Sequence, residues 1–199
     1  MKYYLLFGLL LLSFTQVKSQ IAYQIGDSVA SFSLTSTDGS TWALEAQTKG
    51  LILVFINNDC PIVELYIERL KSLQKRFGPQ GFAVVAINSN FPQASPNDSF
   101  PQMQQFAAEQ QLNFSYLSDA DQTVARAFGA SRTPQCFVLA RDARETLRLQ
   151  YIGAIDDNAR QADAVNVQYL EDALRQLIAQ EAVKSTYTRA VGCGIKWAQ

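Results

Sequence analysis

A cysteine stands where an apolar strand gives way to an amphipathic helix. Leu51-Ile52-Leu53-Val54-Phe55-Ile56 reads as a buried strand, Asn57-Asn58-Asp59 as a short polar turn, and Cys60 as the residue that opens the helix. A thiol in that place faces the unpaired N–H groups and positive dipole end of the helix, which favour thiolate over thiol. Pro61 suits the first helical position, where a missing N–H costs nothing. The neighbouring Asp59 carboxylate acts against the thiolate. Strand-to-helix turns at a sheet edge often carry the chemistry of α/β folds, so these residues predict a reactive sulfur. The bland alternative is a small buried hydrophobe, a common fate of free cysteine.

Composition removes several other chemistries. The 199 residues include no histidine, so no His-based triad, His-ligated metal or haem can be built. Cys60, Cys136 and Cys193 are too few and too scattered for a zinc site or a disulfide-dense scaffold. No metal and no other cofactor is expected. A net charge of -1 without a clustered basic run gives no electrostatic case for nucleic acid. In an oxidising compartment the three cysteines can form one bridge and leave one thiol over, and composition leaves the pair open.

Such a compartment is what the first residues suggest. Lys2 precedes a short apolar run to Leu12, and Val17 and Ser19 are spaced like a signal-peptidase site. The run falls short of the roughly 20 residues a bilayer span needs. Residues 1–20 are therefore expected to be a removed secretory signal, and residues 21–199 one domain with a C-terminal tail. The protein is expected to be exported, periplasmic or secreted, with no membrane span once the signal is gone.

The elements that must hold Cys60 follow from periodicity. Ser31–Leu34 and Thr41–Leu44 alternate apolar and polar around Thr37-Asp38-Gly39-Ser40, which predicts a β-hairpin. Val63, Tyr66, Ile67, Leu70, Leu73 and Phe77 share one face of a helix ended by Gly78-Pro79. Phe82–Ile87 is a second continuous apolar strand, the mark of a parallel sheet covered on both faces. After a polar loop over 88–99, a helix is expected from about Phe100 to Gln110, a strand over Phe114–Leu117, and a short helix over Asp121–Phe128 stopped by Gly129. Cys136–Ala140 and Thr146–Ile152 predict an antiparallel pair. Asn166–Gln180 predicts a last helix burying Val167, Leu170, Leu174, Leu177 and Ile178. The paired acids Asp119/Asp121 and Asp156/Asp157 lack metal spacing and are expected to serve turns and helix caps. A β-α-β half followed by a β-β-α half predicts an α/β fold with a mixed sheet.

Several stretches in this order resemble the redoxin branch of the thioredoxin-like superfamily, the group related to alkyl hydroperoxide reductase and thiol-specific antioxidant proteins. They are Asn58–Val63, Val85–Asn90 with Asp98-Ser99-Phe100, Tyr116–Asp119, Thr133-Pro134 with Phe137-Val138-Leu139, Ile155–Asn158 and Gly192–Trp197. The resemblance implies a three-layer α/β/α thioredoxin-like fold and thiol-redox activity. It sets Cys60 at the first cysteine of a Cys-x-x-Cys motif whose second position here is Val63, so no local dithiol can form. It sets Asn57 where peroxidase members carry threonine, and Thr133-Pro134 at the cis-proline beside the reactive sulfur. It also implies Cys193 as the partner, since similar redoxins carry a tail cysteine, in a Gly192-Cys193-Gly194 setting read as flexible. Arg132 is either a source of positive potential for the thiolate or a solvated surface charge, and Cys136 is expected in the core.

The expected activity is thiol-disulfide exchange, with Cys60 as nucleophile, Cys193 as partner, and Pro61, Thr133, Pro134, Arg132 and Asn57 in support. Its partners are protein or small-molecule thiols and disulfides. The alternatives are a thiol peroxidase acting on hydroperoxides, and a non-catalytic binding protein in which Cys60 and Cys193 form a permanent staple.

Overall fold

The computed structural model describes residues 22–44 and 49–199; the expected signal, residues 1–20, lies outside them. The strands are β1 (Ser33–Ser36), β2 (Thr41–Ala43), β3 (Gly50–Phe55), β4 (Phe82–Asn88), β5 (Ser115–Ser118), β6 (Arg132–Thr133), β7 (Gln135–Arg141), β8 (Leu147–Gly153) and β9 (Cys193–Gly194). The helices are α1 (Pro61–Phe77), α2 (Phe100–Glu109), α3 (Thr123–Phe128) and α4 (Tyr169–Ile178). A seven-stranded sheet runs β2-β1-β5-β4-β3-β7-β8. Its central strands β3, β4 and β5 are parallel, while the hairpin β1–β2 and the β7–β8 pair add antiparallel edges.

The period-two geometry of strands divides β3 between two cores. Ile52 and Val54 meet Val63, Ile67, Leu70 and Leu174 on one face, under α1 and α4. Leu51, Leu53 and Phe55 meet Val124, Phe128 and Phe137 on the other, under α3. Continuous apolar strands at the centre are what a sheet covered on both faces requires. The result is the three-layer α/β/α arrangement with an N-terminal hairpin. The six α1 residues expected to face inward, Val63 to Phe77, are all buried.

Two expectations about the C-terminal third need correction. The last helix begins at Tyr169; Val167 lies before its first turn, with its carbonyl accepting the Asp157 N–H and its side chain exposed. Ile178, in the final turn, is also exposed, whereas Leu170, Ala173 and Leu174 carry the packing. The tail is no free arm either. β9 pairs antiparallel with β6, matching Arg132 to Gly194 and Thr133 to Cys193.

Candidate functional site

β3 ends beside β7, and the chain then turns through Asn57-Asn58-Asp59 to the N-cap of α1, which is Cys60 itself. Pro61 takes the first helical position and has no N–H, so the first-turn amides of Ile62 and Val63 remain at the helix mouth without intrahelical acceptors. The turn is pinned from outside. Asp98, wholly enclosed, accepts the Asn58 backbone N–H at 2.8 Å, and Tyr116 donates to Asn58 Oδ1 at 2.9 Å. The same carboxylate also accepts from Asn88 Nδ2, Asn90 Nδ2 and Ser95 Oγ at 2.6–2.8 Å. Four donors on one buried carboxylate replace the water it has lost.

Opposite Cys60, the Thr133–Pro134 peptide is cis. The Thr133 carbonyl oxygen lies 3.2 Å from Cys60 Sγ, and the Thr133 hydroxyl donates to Asn57 Oδ1 at 2.9 Å. Asn57 thus holds the proline turn against the cysteine turn. That leaves its carbonyl oxygen engaged by protein rather than presented to a peroxide. β9 lies along the other side of Thr133, and Cys193 is disulfide-bonded to Cys60 with Cα atoms 5.9 Å apart. The 133 residues of separation make this a long loop, whose closure contributes roughly 4–5 kcal/mol in the chain-entropy model. Cys60 is 2% exposed and Cys193 only partly covered, so the tail shields the helix-capping sulfur more than its own.

Of the residues expected at the site, Cys60, Pro61, Asn57, Thr133, Pro134 and Cys193 converge here. Arg132 is at the margin. Its backbone pairs with Gly194 and its N–H reaches Gln135 Oε1, while its side chain is exposed. Cys136 is a free thiol fully buried in β7, and burial pushes its pKa well above the ordinary range. Asp119 and Asp121 cap α3, accepting the Val124, Ala125 and Thr123 N–H groups. Asp156 fills the expected turn role and a further one. Besides accepting the Asn158 N–H, it receives the Tyr66 hydroxyl at 2.6 Å and the Arg69 guanidinium at 2.5 Å. Burial first, then this bond to Asp156, raises the Tyr66 phenol. A cleft of about 280 Å³ runs between Tyr66, Pro134, Asp156, Arg189 and Val191, on the flank of the proline turn. No cluster suited to a metal ion occurs among the described residues.

Sequence reasoning missed Asp98, Asn90 and Gln122 as residues that frame the site. Asp98 and Asn90 sit in stretches that carry the family resemblance. Gln122 offers no sequence signal, because its importance lies in reaching the backbone of residues 196 and 198 across the fold.

No curated protein matches the chain. Among solved structures it is similar to a conserved uncharacterized protein of Geobacillus kaustophilus, at 32% identity over 88% of this chain and 93% of that one, with a TM-score of 0.80. A hypothetical protein of Sinorhizobium meliloti 1021 is similar at 34% identity, covering 89% of this chain and 97% of that one, TM-score 0.78. The peroxidoxin BcpB of Mycobacterium tuberculosis shares the fold, at 22% identity over 79% and 97% of the two chains and a TM-score of 0.57. The model of the AhpC/TSA family matches residues 25–158, from the first turn of the domain through the cysteine turn and the cis-proline to the Asp156 cluster. With that match across the sheet and the Cys60 turn, this thioredoxin-like chain belongs to the AhpC/TSA family.

Proposed function

We propose that the protein is an exported thiol-disulfide oxidoreductase in which Cys60 and Cys193 form one exchanging pair. The observation that carries this is a bridge between the capping cysteine of α1 and a strand lying on the cis-proline turn. In the reduced protein the Cys60 thiolate attacks a substrate disulfide, forming a mixed disulfide on Cys60 and expelling one substrate thiolate. The Cys193 thiolate then attacks Cys60 Sγ, closing the Cys60–Cys193 bridge and expelling the second. Two electrons pass from the dithiol to the substrate, and a donor dithiol restores the pair. Pro61 keeps the helix mouth open, Thr133 and Pro134 supply the facing backbone, and Asn57 fixes their separation. Arg132, exposed beside Gly194, meets the approaching partner. Partners are protein or small-molecule disulfides and thiols.

Export is supported by the short apolar run after Lys2, and no helix among the described residues is long and apolar enough to cross a membrane. One observation favours a second reading, a permanent staple: Cys60 is almost wholly enclosed and the tail is tied down on both sides of Cys193. Turnover of a disulfide substrate with dithiothreitol as donor distinguishes them. Exchange at a rate well above that of free cysteine supports the enzyme, and a rate no greater than free cysteine supports the staple.

A further inference from the structure

We infer that the tail remains docked when the bridge opens, held by a clamp centred on Gln122, so that Cys193 stays beside Cys60 as the second half of a preassembled dithiol. The clamp itself stands on geometry; its catalytic consequence rests on the function proposed above. Beyond Cys193 the tail is tied by bonds that do not involve sulfur. The Ile195 N–H donates to Ser131 O at 3.2 Å, the Lys196 N–H to Asn90 Oδ1 at 2.8 Å, and the Ala198 N–H to Gln122 Oε1 at 2.8 Å. The Lys196 carbonyl accepts from both Phe91 N at 2.8 Å and Gln122 Nε2 at 2.9 Å.

Gln122 is fully buried, and its other amide hydrogen is taken by Ser89 O at 2.7 Å, so both ends of the carboxamide read tail backbone while the group stays satisfied. Ile195 enters the core under α3, and the Arg126 guanidinium lies 4.7 Å from the centre of the Trp197 ring. On the near side of Cys193, the Thr188 N–H donates to Ile152 O and the Thr188 hydroxyl bonds Tyr151.

One network registers both sulfurs. Asn90, which holds Lys196, donates to the same Asp98 that holds the Asn58 turn before Cys60. Gln122 and Asn90 are therefore positioning residues. They substitute for the local second cysteine that Val63 displaces, because a docked tail raises the effective concentration of Cys193 at Cys60.

Hydrogen exchange of the Cys193→Ser protein, in which no bridge can form, tests this without requiring turnover. The amides of Ile195, Lys196 and Ala198 are expected to exchange at least tenfold more slowly than in an unstructured chain. Exchange at the unstructured rate overturns the proposal, since the disulfide alone would then hold the tail. With both cysteines present and the protein equilibrated with glutathione, Gln122→Glu, whose carboxylate has no hydrogen for the Lys196 and Ser89 carbonyls, is expected to lower the equilibrium constant for bridge closure at least tenfold relative to wild type. Ile195→Ala, which removes only apolar contact, is expected to lower it in the same direction. Both variants within twofold of wild type overturn the positioning role. If instead wild type refuses all exchange while folded, the proposed function fails, and the exchange measurement on Cys193→Ser still decides whether the tail is clamped.

Discussion

The two sulfurs of the bridge are placed by different kinds of force. Cys60 is set by secondary structure: a buried strand, a three-residue turn and a proline-started helix fix its position. Cys193 belongs to a two-residue strand and is set by tertiary bonds from Thr133, Asn90, Gln122 and the Ile195 pocket. The contrast teaches that a redox pair need not be local in sequence to be local in space. It also separates two vulnerabilities, because disturbing the Cys60 side strikes the core whereas disturbing the Cys193 side strikes a surface strap.

The largest effect divides the sulfurs by role. Cys60→Ser is expected to abolish turnover, while Cys193→Ser is expected to make one attack and accumulate mixed disulfide on Cys60, read by mass spectrometry without reduction. Normal turnover by Cys193→Ser would break the comparison. Next comes Asp98→Ala, which leaves Asn58 N, Asn88 Nδ2, Asn90 Nδ2 and Ser95 Oγ without their shared acceptor. A loss of about 3 kcal/mol is expected in urea unfolding, since buried groups left unpaired cost roughly 1–3 kcal/mol each and some will find water.

Gly192→Ala is expected to act where the strap meets the proline turn. A Cβ there would overlap the Thr133 carbonyl, so the tail must shift, at about 1–2 kcal/mol. The bridge in this variant should be reduced more readily by dithiothreitol, with little change in the β3–α1 half by hydrogen exchange. Equal reduction rates would show that the strap's seating does not control the pair. The smallest effect lies at the far end of β7 from the proline turn. The Arg148 guanidinium, then the Thr146 and Arg144 amides, hold the Asp142 carboxyl down to about 2. A depressed carboxyl stabilises the fold above its unfolded value and loses that contribution as pH falls through the folded one. Wild type should therefore lose its small thermal advantage over Asp142→Asn between pH 3.8 and about 2, with no change at the sulfurs.

Sequence legibility follows the same division. The inward face of α1, the parallel strands and the Cys60 turn were readable because local periodicity and proline chemistry determine them. The last helix starts later than its spacing implies: Val167 matches helical spacing, yet its carbonyl accepts the Asp157 N–H ahead of the first turn. The polar stretch 88–99 looked like an ordinary loop, although Asn88, Ser89, Asn90, Ser95 and Asp98 are buried. Polar composition signals exposure only when no partner is available, and Asp98 gathers four. The pairing of β6 with β9 left no trace in periodicity, since two-residue strands carry no repeat, and the Gln122 contacts depend wholly on the assembled fold.

The central claim is that the Cys60–Cys193 bridge opens and closes within the folded protein. Its most direct test is to equilibrate native protein across dithiothreitol ratios, trap accessible thiols with a brief pulse of excess N-ethylmaleimide at neutral pH, map the cysteines by mass spectrometry, and record circular dichroism alongside. The account predicts reversible conversion between bridge and dithiol with unchanged secondary structure and Cys136 unlabelled. A bridge that opens only as the fold is lost, with Cys136 labelled at the same point, would contradict it.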